Sequence, residues 1–265
     1  MKRLVIVVLN YLNYQDTMEC VDSILNMQYS ISGIVIVDNG SNNKSFERLR
    51  KRYIMEKQVY VIAGKKNKGY AKGNNLGIDY ARKKLKAEFV LIVNNDTVFI
   101  DKQYIKNLLN RYEPGVGVIG SRILLKNGNE QMPLMFYLGM KDSLMRYMNM
   151  FSLKYGSDFG FPASQGNPQM VLHGCALLFT PDFFKYYKGF YKRTFLYEEE
   201  AILYLMCKCK NLKQIYAPEA EIYHKEDQSS MMSFQNDGII QRKYAFQSEK
   251  YILLWILKYK ISRVK

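Results

Sequence analysis

From Leu4 to Val93 the chain alternates short, unbroken apolar runs with stretches of helical spacing. Leu4–Leu9, Ile34–Val37, Val59–Ile62 and Phe89–Val93 carry apolar, often β-branched residues without polar alternation, the pattern of strands buried on both faces. Between them, Asp16–Met27 sets Met18, Val21, Ile24 and Leu25 on one helical face. Lys44–Glu56 predicts a polar helix, and Asn74–Leu85 a helix entered through a glycine-rich turn. Strand and helix alternate at crossover spacing, which predicts an α/β fold built on a parallel, doubly wound sheet.

Beyond Asp96 the regularity weakens. Tyr104–Tyr112 predicts a helix and Gly115–Ser121 a strand or turn. Asn127–Pro168 shows no clear period and gathers Met132, Met135, Met140, Met145, Met148 and Met150; it suits a loosely packed satellite of the core and a mobile lid or acceptor-facing surface equally. Val171–Thr180 is strand-like, Thr180-Pro181 caps and starts a helix, Leu203–Cys209 is helical and Gln214–Ala217 strand-like. Without a repeat or a low-complexity linker, the 265 residues predict one enlarged domain.

A hydrophobic fraction of 48% argues against wholesale disorder, and a formal charge of +15 favours anionic partners: nucleic acid, lipid headgroups or phosphorylated small molecules. No RNA-recognition signature, zinc finger or basic zipper is present, which weighs against nucleic acid. Cys20, Cys175, Cys207 and Cys209 are scattered, and Cys207-Lys208-Cys209 is too tight for a metal knuckle, so free thiols in a reducing compartment are expected. Met1-Lys2-Arg3 with Leu4–Leu9 has too short an apolar run for a secretory signal, and no other run reaches membrane-spanning length.

Candidate chemistry sits where apolar strands end in polar residues. Asn10, Asp38 and Asp96 each close such a run, and open α/β sheets bind ligands at the carboxyl ends of their strands. Asn94-Asn95-Asp96 is an oxygen-rich cluster suited to a hard divalent cation, Mg²⁺ or Mn²⁺. Asp38, in Asp38-Asn39-Gly40-Ser41, could accept from a base or ribose, or simply form a turn. The dinucleotide fingerprint is missing from Asn10–Tyr14, and Gly64–Gly69 continues into Tyr70-Ala71 rather than the Lys-Ser/Thr of a P-loop.

Asn67–Gly77, rich in Gly and Asn and carrying Lys68 and Lys72, could bring backbone and a helix N-terminus close to phosphate; a glycine-eased basic loop would read the same way. Glu198-Glu199-Glu200 follows Phe195-Leu196-Tyr197, and partial burial with mutual repulsion would raise a carboxyl toward general-base use; an acidic helix start is the plainer reading. His173 and His224, the only two histidines, could join carboxylates at a metal or be structural.

Taken in order, these motifs resemble an inverting family 2 glycosyltransferase of the GT-A fold, in the branch of bacterial rhamnosyltransferases and cell-surface polysaccharide enzymes. The resemblance runs from Leu4 through His224. It implies a Rossmann-like, mostly parallel central sheet flanked by helices, with residues 1–240 as the transferase domain: 1–125 the nucleotide-sugar half and 126–240 the acceptor side. Residues 241–265 would form a basic amphipathic helical extension.

By resemblance, Asp38 matches the nucleoside-binding acid, Asn67–Gly77 the Gly/Asn loop, and Asn94-Asn95-Asp96 the Asp-x-Asp motif, with Asn94 replacing the first acid. Glu199-Glu200 matches the base motif, Glu200 being the base and Glu198 a register alternative. His224 matches the late metal-binding histidine, and Gly174 lies in the Gly-Ala stretch lining the site. The implied donor-binding set is Asn10, Asp38, Asn67, Gly69, Lys72, Asn75, Asn94, Asn95, Asp96 and Gly174, with Asp96 and His224 holding Mn²⁺ or Mg²⁺. A UDP- or dTDP-sugar would be the donor and a glycan or lipid-linked saccharide the acceptor, in polysaccharide or capsule synthesis at the cytoplasmic face of the membrane. A catalytically weak sugar-nucleotide or glycan-binding module on the same fold is the alternative.

The stretch Gln241–Lys265 combines Tyr244, Phe246, Tyr251, Leu253, Leu254, Trp255 and Leu257 with many cations. Such a helix can lie in a membrane interface through its Trp face or pack on the domain; peripheral membrane contact is the expectation.

Overall fold

The computed structural model describes residues 2–131, 134–136, 138–155, 168–225 and 238–264, with side chains undescribed at 149–155, 238–242 and 264. Met132 and Glu226 therefore lie outside the described residues, as does 156–167 of the methionine-rich stretch.

The four apolar runs are strands: β1 (Leu4–Asn10), β2 (Gly33–Asp38), β3 (Val59–Ala63) and β4 (Phe89–Asn94). They alternate with α1 (Tyr14–Leu25), α2 (Ser45–Arg52) and α3 (Tyr70–Lys83), pair in parallel, and bury β2 entirely and β1 and β4 nearly so. α3 starts at Tyr70, four residues before the predicted Asn74. Gly73 and Gly77 thereby lie inside the helix, where an added β-carbon would stand 2.6 Å from Leu9 Cδ1 and 2.3 Å from Val7 Cγ1. These two glycines let α3 lie close against β1; they are not ligand-approach positions.

The second half comprises β5 (Thr97–Val98), α4 (Tyr104–Asn110), β6 (Val116–Leu124), β7 (Leu134–Phe136), α5 (Met140–Tyr155), β8 (Gln169–Val171), β9 (Ala176–Phe179), α6 (Pro181–Phe184), α7 (Glu199–Cys209), β10 (Lys213–His224) and α8 (Gly238–Val264). Thr180 caps α6 as its sequence predicts, its side chain accepting from Phe183 N–H. The main sheet has eight strands in the order β3-β2-β1-β4-β9-β6-β10-β5, and β7 and β8 form a separate antiparallel pair. All strands of the main sheet except β9 and β5 run the same way, so the sheet is mostly parallel, as expected, with two antiparallel insertions.

Both insertions shape the site. β9 runs against β4 with Val93 opposite Ala176, so the start of β9 meets the end of β4, and Asn94 N–H donates to Cys175 O at 2.8 Å. β10 is irregular between Ala217 and Glu221, where Pro218 cannot donate a ladder hydrogen bond. Its far end curls back to pair with β5, His224 opposite Thr97. That closure returns His224 to the residues just after β4.

α8 packs on the domain: Ile252, Trp255 and Ile256 are buried, Trp255 among Tyr187 and Tyr191. The Trp face predicted for a membrane is thus turned inward. The fully buried Glu249 is bonded to Ser143 and paired with Arg146 at 3.0 Å, tying α8 to α5.

Candidate active site

A cavity of about 410 Å³ opens at the carboxyl ends of β1 and β4. Asn39, Asn67, Gly69, Tyr70, Asn94, Asn95, Asp96, Gln131, His173, Gly174, the triplet Glu198-Glu199-Glu200 and His224 line it. Residues from nearly the whole chain converge there.

Asp96 and His224, both only 4% exposed, face each other with Asp96 Oδ1 3.3 Å from His224 Nε2. The pair is near enough for charge contact but not aligned as a hydrogen bond, so both atoms stay buried without a hydrogen-bond partner. His224 Nδ1 lies 2.6 Å from Gln131 Oε1, an amide oxygen that can only accept. In the neutral ring the proton therefore sits on Nδ1, which leaves the Nε2 lone pair available to a ligand. One hard and one imidazole donor, both orphaned, fit a divalent cation: cis ligands at about 2.1 Å from Mg²⁺ lie about 3 Å apart. Among the described residues no third His, Cys, Asp or Glu joins them. Oxygen atoms of a bound diphosphate and water would have to complete such a shell.

Lys225 fixes this end of β10. Its N–H donates to Asp96 O at 2.9 Å, and its ammonium reaches Asp16 Oδ1 at 2.9 Å and Glu19 on α1. His173 packs edge-on to His224, with ring centroids 5.8 Å apart. Burial, then the neighbouring His224, hold its pKa down at about 4, so it is neutral; its Nδ1 accepts from Cys175 N–H, which puts the ring proton on Nε2.

Across the cavity, the acid triplet follows a bent, irregular segment, Phe195–Tyr197. Tyr197 and Glu198 both take left-handed backbone angles, φ 70° and 68°, a strained turn that delivers Glu199 and Glu200 into the first turn of α7. Burial, then repulsion from Glu249 and Glu200, pushes Glu198 up to about 8. Burial raises Glu199 well above the usual range, with Glu200 adding to it, and burial raises Glu200 as well. Glu200 Oε1 accepts Gly174 N–H at 3.1 Å, while Gly174 O accepts the Tyr70 hydroxyl at 2.5 Å. Gly174 therefore couples the start of α3 to the start of α7. Gly69, at φ 82°, completes the wall: Tyr70 N–H donates to Phe195 O at 2.8 Å, and a β-carbon on Gly69 would stand 2.0 Å from that same oxygen.

Not every predicted donor-binding residue reaches the cavity. Asn10 is fully buried and its amide is spent, donating to Asp38 Oδ2 at 2.7 Å and accepting from Thr17 at 2.8 Å. Asp38 also accepts Ser41 N–H at 2.9 Å across the turn that follows β2. Asn75 makes a reciprocal pair with the backbone of Phe190, and Lys72 is exposed on α3 outside the lining. Asn95 borders the cavity, but its amide donates to Asn13 O and Thr17 on α1. Asn67, Gly69, Asn94, Asp96, Gly174, Glu199, Glu200 and His224 do converge.

Sequence reasoning missed Asn39, Tyr70 and Gln131. Asn39 follows Asp38, and successive extended residues point opposite ways, so it takes the cavity side, with its amide on Asn67 and Gly69. Gln131 lies in the aperiodic stretch and carries no local signal.

The sequence pattern of Glycosyl transferase family 2 matches residues 4–176. The chain belongs to that family. Among curated relatives, the low-salt glycan biosynthesis hexosyltransferase Agl10 of Haloferax volcanii is 31% identical over 127 residues, 46% of this chain and 37% of that protein. Glycosyltransferase GlyG of Streptococcus pneumoniae is 32% identical over 80 residues, covering 30% of this chain and 25% of its own length. The chain thus spans well under half of these relatives.

Two solved structures share the fold. The mannosyltransferase PcManGT of Pyrobaculum calidifontis, in complex with GDP-Man and Mn²⁺, aligns with a TM-score of 0.60 at 12% identity, covering 99% of this chain and 74% of its own. S. aureus TarS 1–349 in complex with UDP-GlcNAc aligns at 0.58 and 16% identity, covering 87% of this chain and 60% of its own. The family assignment and these neighbours agree with a GT-A architecture.

Proposed function

We propose that this chain is a metal-dependent, inverting glycosyltransferase that moves a sugar from a nucleotide donor to a saccharide acceptor. The observation carrying this reading is the facing of two orphaned ligand atoms, Asp96 Oδ1 and His224 Nε2, in the same cavity as Glu200. Bound Mn²⁺ or Mg²⁺, held by Asp96 and His224, would supply positive charge against a departing nucleoside diphosphate.

The chain's own residues do the rest. Asn67, Gly69 and the amino end of α3 border the cavity and favour phosphate oxygens. Glu200, fixed by Gly174 N–H, takes the proton of an acceptor hydroxyl as that oxygen attacks the anomeric carbon, in a single inverting displacement. Burial, which raises its pKa, gives this carboxylate more basicity than a surface glutamate has.

UDP- or dTDP-sugars remain the donors we favour, with GDP-linked sugars added because PcManGT holds one. The acceptor we infer is a lipid-linked saccharide of cell-surface glycan synthesis, met at the cytoplasmic face.

Calorimetric titration of UDP, dTDP and GDP, with and without Mn²⁺, on wild type and Asp96→Ala tests the reading. Mn²⁺-dependent binding of one nucleotide, lost in the variant, supports it. Binding of none of the three overturns the site, and binding without transfer to any acceptor would leave a binding module on this fold.

A further inference from the structure

α8 has two apolar stripes, and only one is spent. Ile252, Trp255 and Ile256 face the domain. Leu253, Leu257 and Ile261 recur every fourth residue on another side of the helix, with Leu257 49% and Ile261 61% exposed.

Cations surround this second stripe. Lys258 and Lys260 are exposed beside it, and Lys258 lies over the Trp255 ring at 4.3 Å. Arg263 follows one turn on. The end of α7 and the segment after α6 extend the same surface: Lys210 lies 5.5 Å from the ring centroid of Tyr186, itself 53% exposed, while Tyr187 and Tyr191 pack on Trp255. No Asp or Glu occurs in Lys185–Arg193, in Ala201–Leu212 or from Lys250 onward. Exposed apolar groups thus stand in a cationic field drawn from three parts of the chain.

We propose that this face docks onto an anionic phospholipid bilayer, with Leu257, Ile261 and Tyr186 entering the interface and Lys210, Lys258 and Lys260 meeting headgroup phosphates. Nucleic acid would use the cations but leave Leu257 and Ile261 in water, so a bilayer suits both halves of the pattern. The inward-facing Trp255 is structural support for the surface, not its anchor. The surface lies at the far end of α7 from Glu199, about 15 Å along the helix axis. It stands apart from the catalytic reading and would add to it only where the acceptor is met.

The test is co-sedimentation of the full chain with vesicles of phosphatidylcholine alone and vesicles also containing phosphatidylglycerol. Binding is expected only to the latter, falling about ten-fold or more in K258E/K260E and in L257S/I261S. Far-UV circular dichroism and nucleotide titration of the same variants separate loss of docking from misfolding and from failure of the catalytic site. Equal binding to both vesicle types, unchanged binding by both variants, or tighter binding to a random oligonucleotide than to the anionic vesicles would each overturn the proposal. Deleting the end of α8 would be a poorer test, because it uncovers the Trp255 packing.

Discussion

Gly174 N–H donates to Glu200 Oε1 at 3.1 Å, and a β-carbon on Gly174 would stand 2.5 Å from that same oxygen. The absence of a side chain is thus what lets the backbone grip the carboxylate. Gly174→Ala should lower the transfer rate about ten-fold or more while leaving nucleotide affinity near wild type, read as a split between kcat and nucleotide Kd. An equal loss in both would mean the cavity itself had collapsed.

Glu200→Gln should lower transfer by roughly 10²–10⁴ with nucleotide binding kept. Because burial raises the pKa of Glu200, the wild-type rate should climb with pH along a limb whose midpoint lies above that of an ordinary glutamate. A limb at the usual carboxylate value would assign the proton transfer to another group.

Gln131 is expected to act through His224 rather than on substrate. Gln131→Ala removes the acceptor at Nδ1, and Mn²⁺-dependent nucleotide affinity should fall about 10–100-fold. Gln131→Glu restores an acceptor and should recover most of it. Metal-free nucleotide binding should be indifferent to both changes.

Glu198 makes stability depend on pH in a defined direction. The folded chain holds its proton up to about 8, whereas the ordinary value is 4.5, so between these values the folded state binds more protons than the unfolded one. Its contribution is complete below 4.5 and is lost as pH rises toward about 8. Glu198→Gln cannot ionise and should be more stable than wild type above that window, by on the order of 1–3 kcal/mol, with the gain vanishing below it. Urea unfolding across a pH series measures the difference.

Gly69→Ala meets two obstacles, a left-handed φ of 82° and the Phe195 carbonyl at 2.0 Å. It should cost about 2 kcal/mol or more and loosen the contact between α3 and the acid-bearing turn. Thermal unfolding together with nucleotide titration would register both effects.

The sequence by itself determined the first half of the fold, because strands buried on both faces leave unbroken apolar runs and their crossover helices leave a helical period. It also marked Asp96, Glu199, Glu200 and His224, whose residue types stand out at element ends or beside apolar runs. What it could not supply was direction and pairing across long separations. Only the tertiary structure decided that β9 runs antiparallel and presents Gly174 to Glu200, and that β10 curls at Pro218 to return His224 to Asp96. It likewise supplied the internal hydrogen-bond partners of Asn10, Asp38 and Asn75, which local sequence does not reveal. Local pattern reports how much of each residue is buried; which neighbour buries it depends on the path of the whole chain.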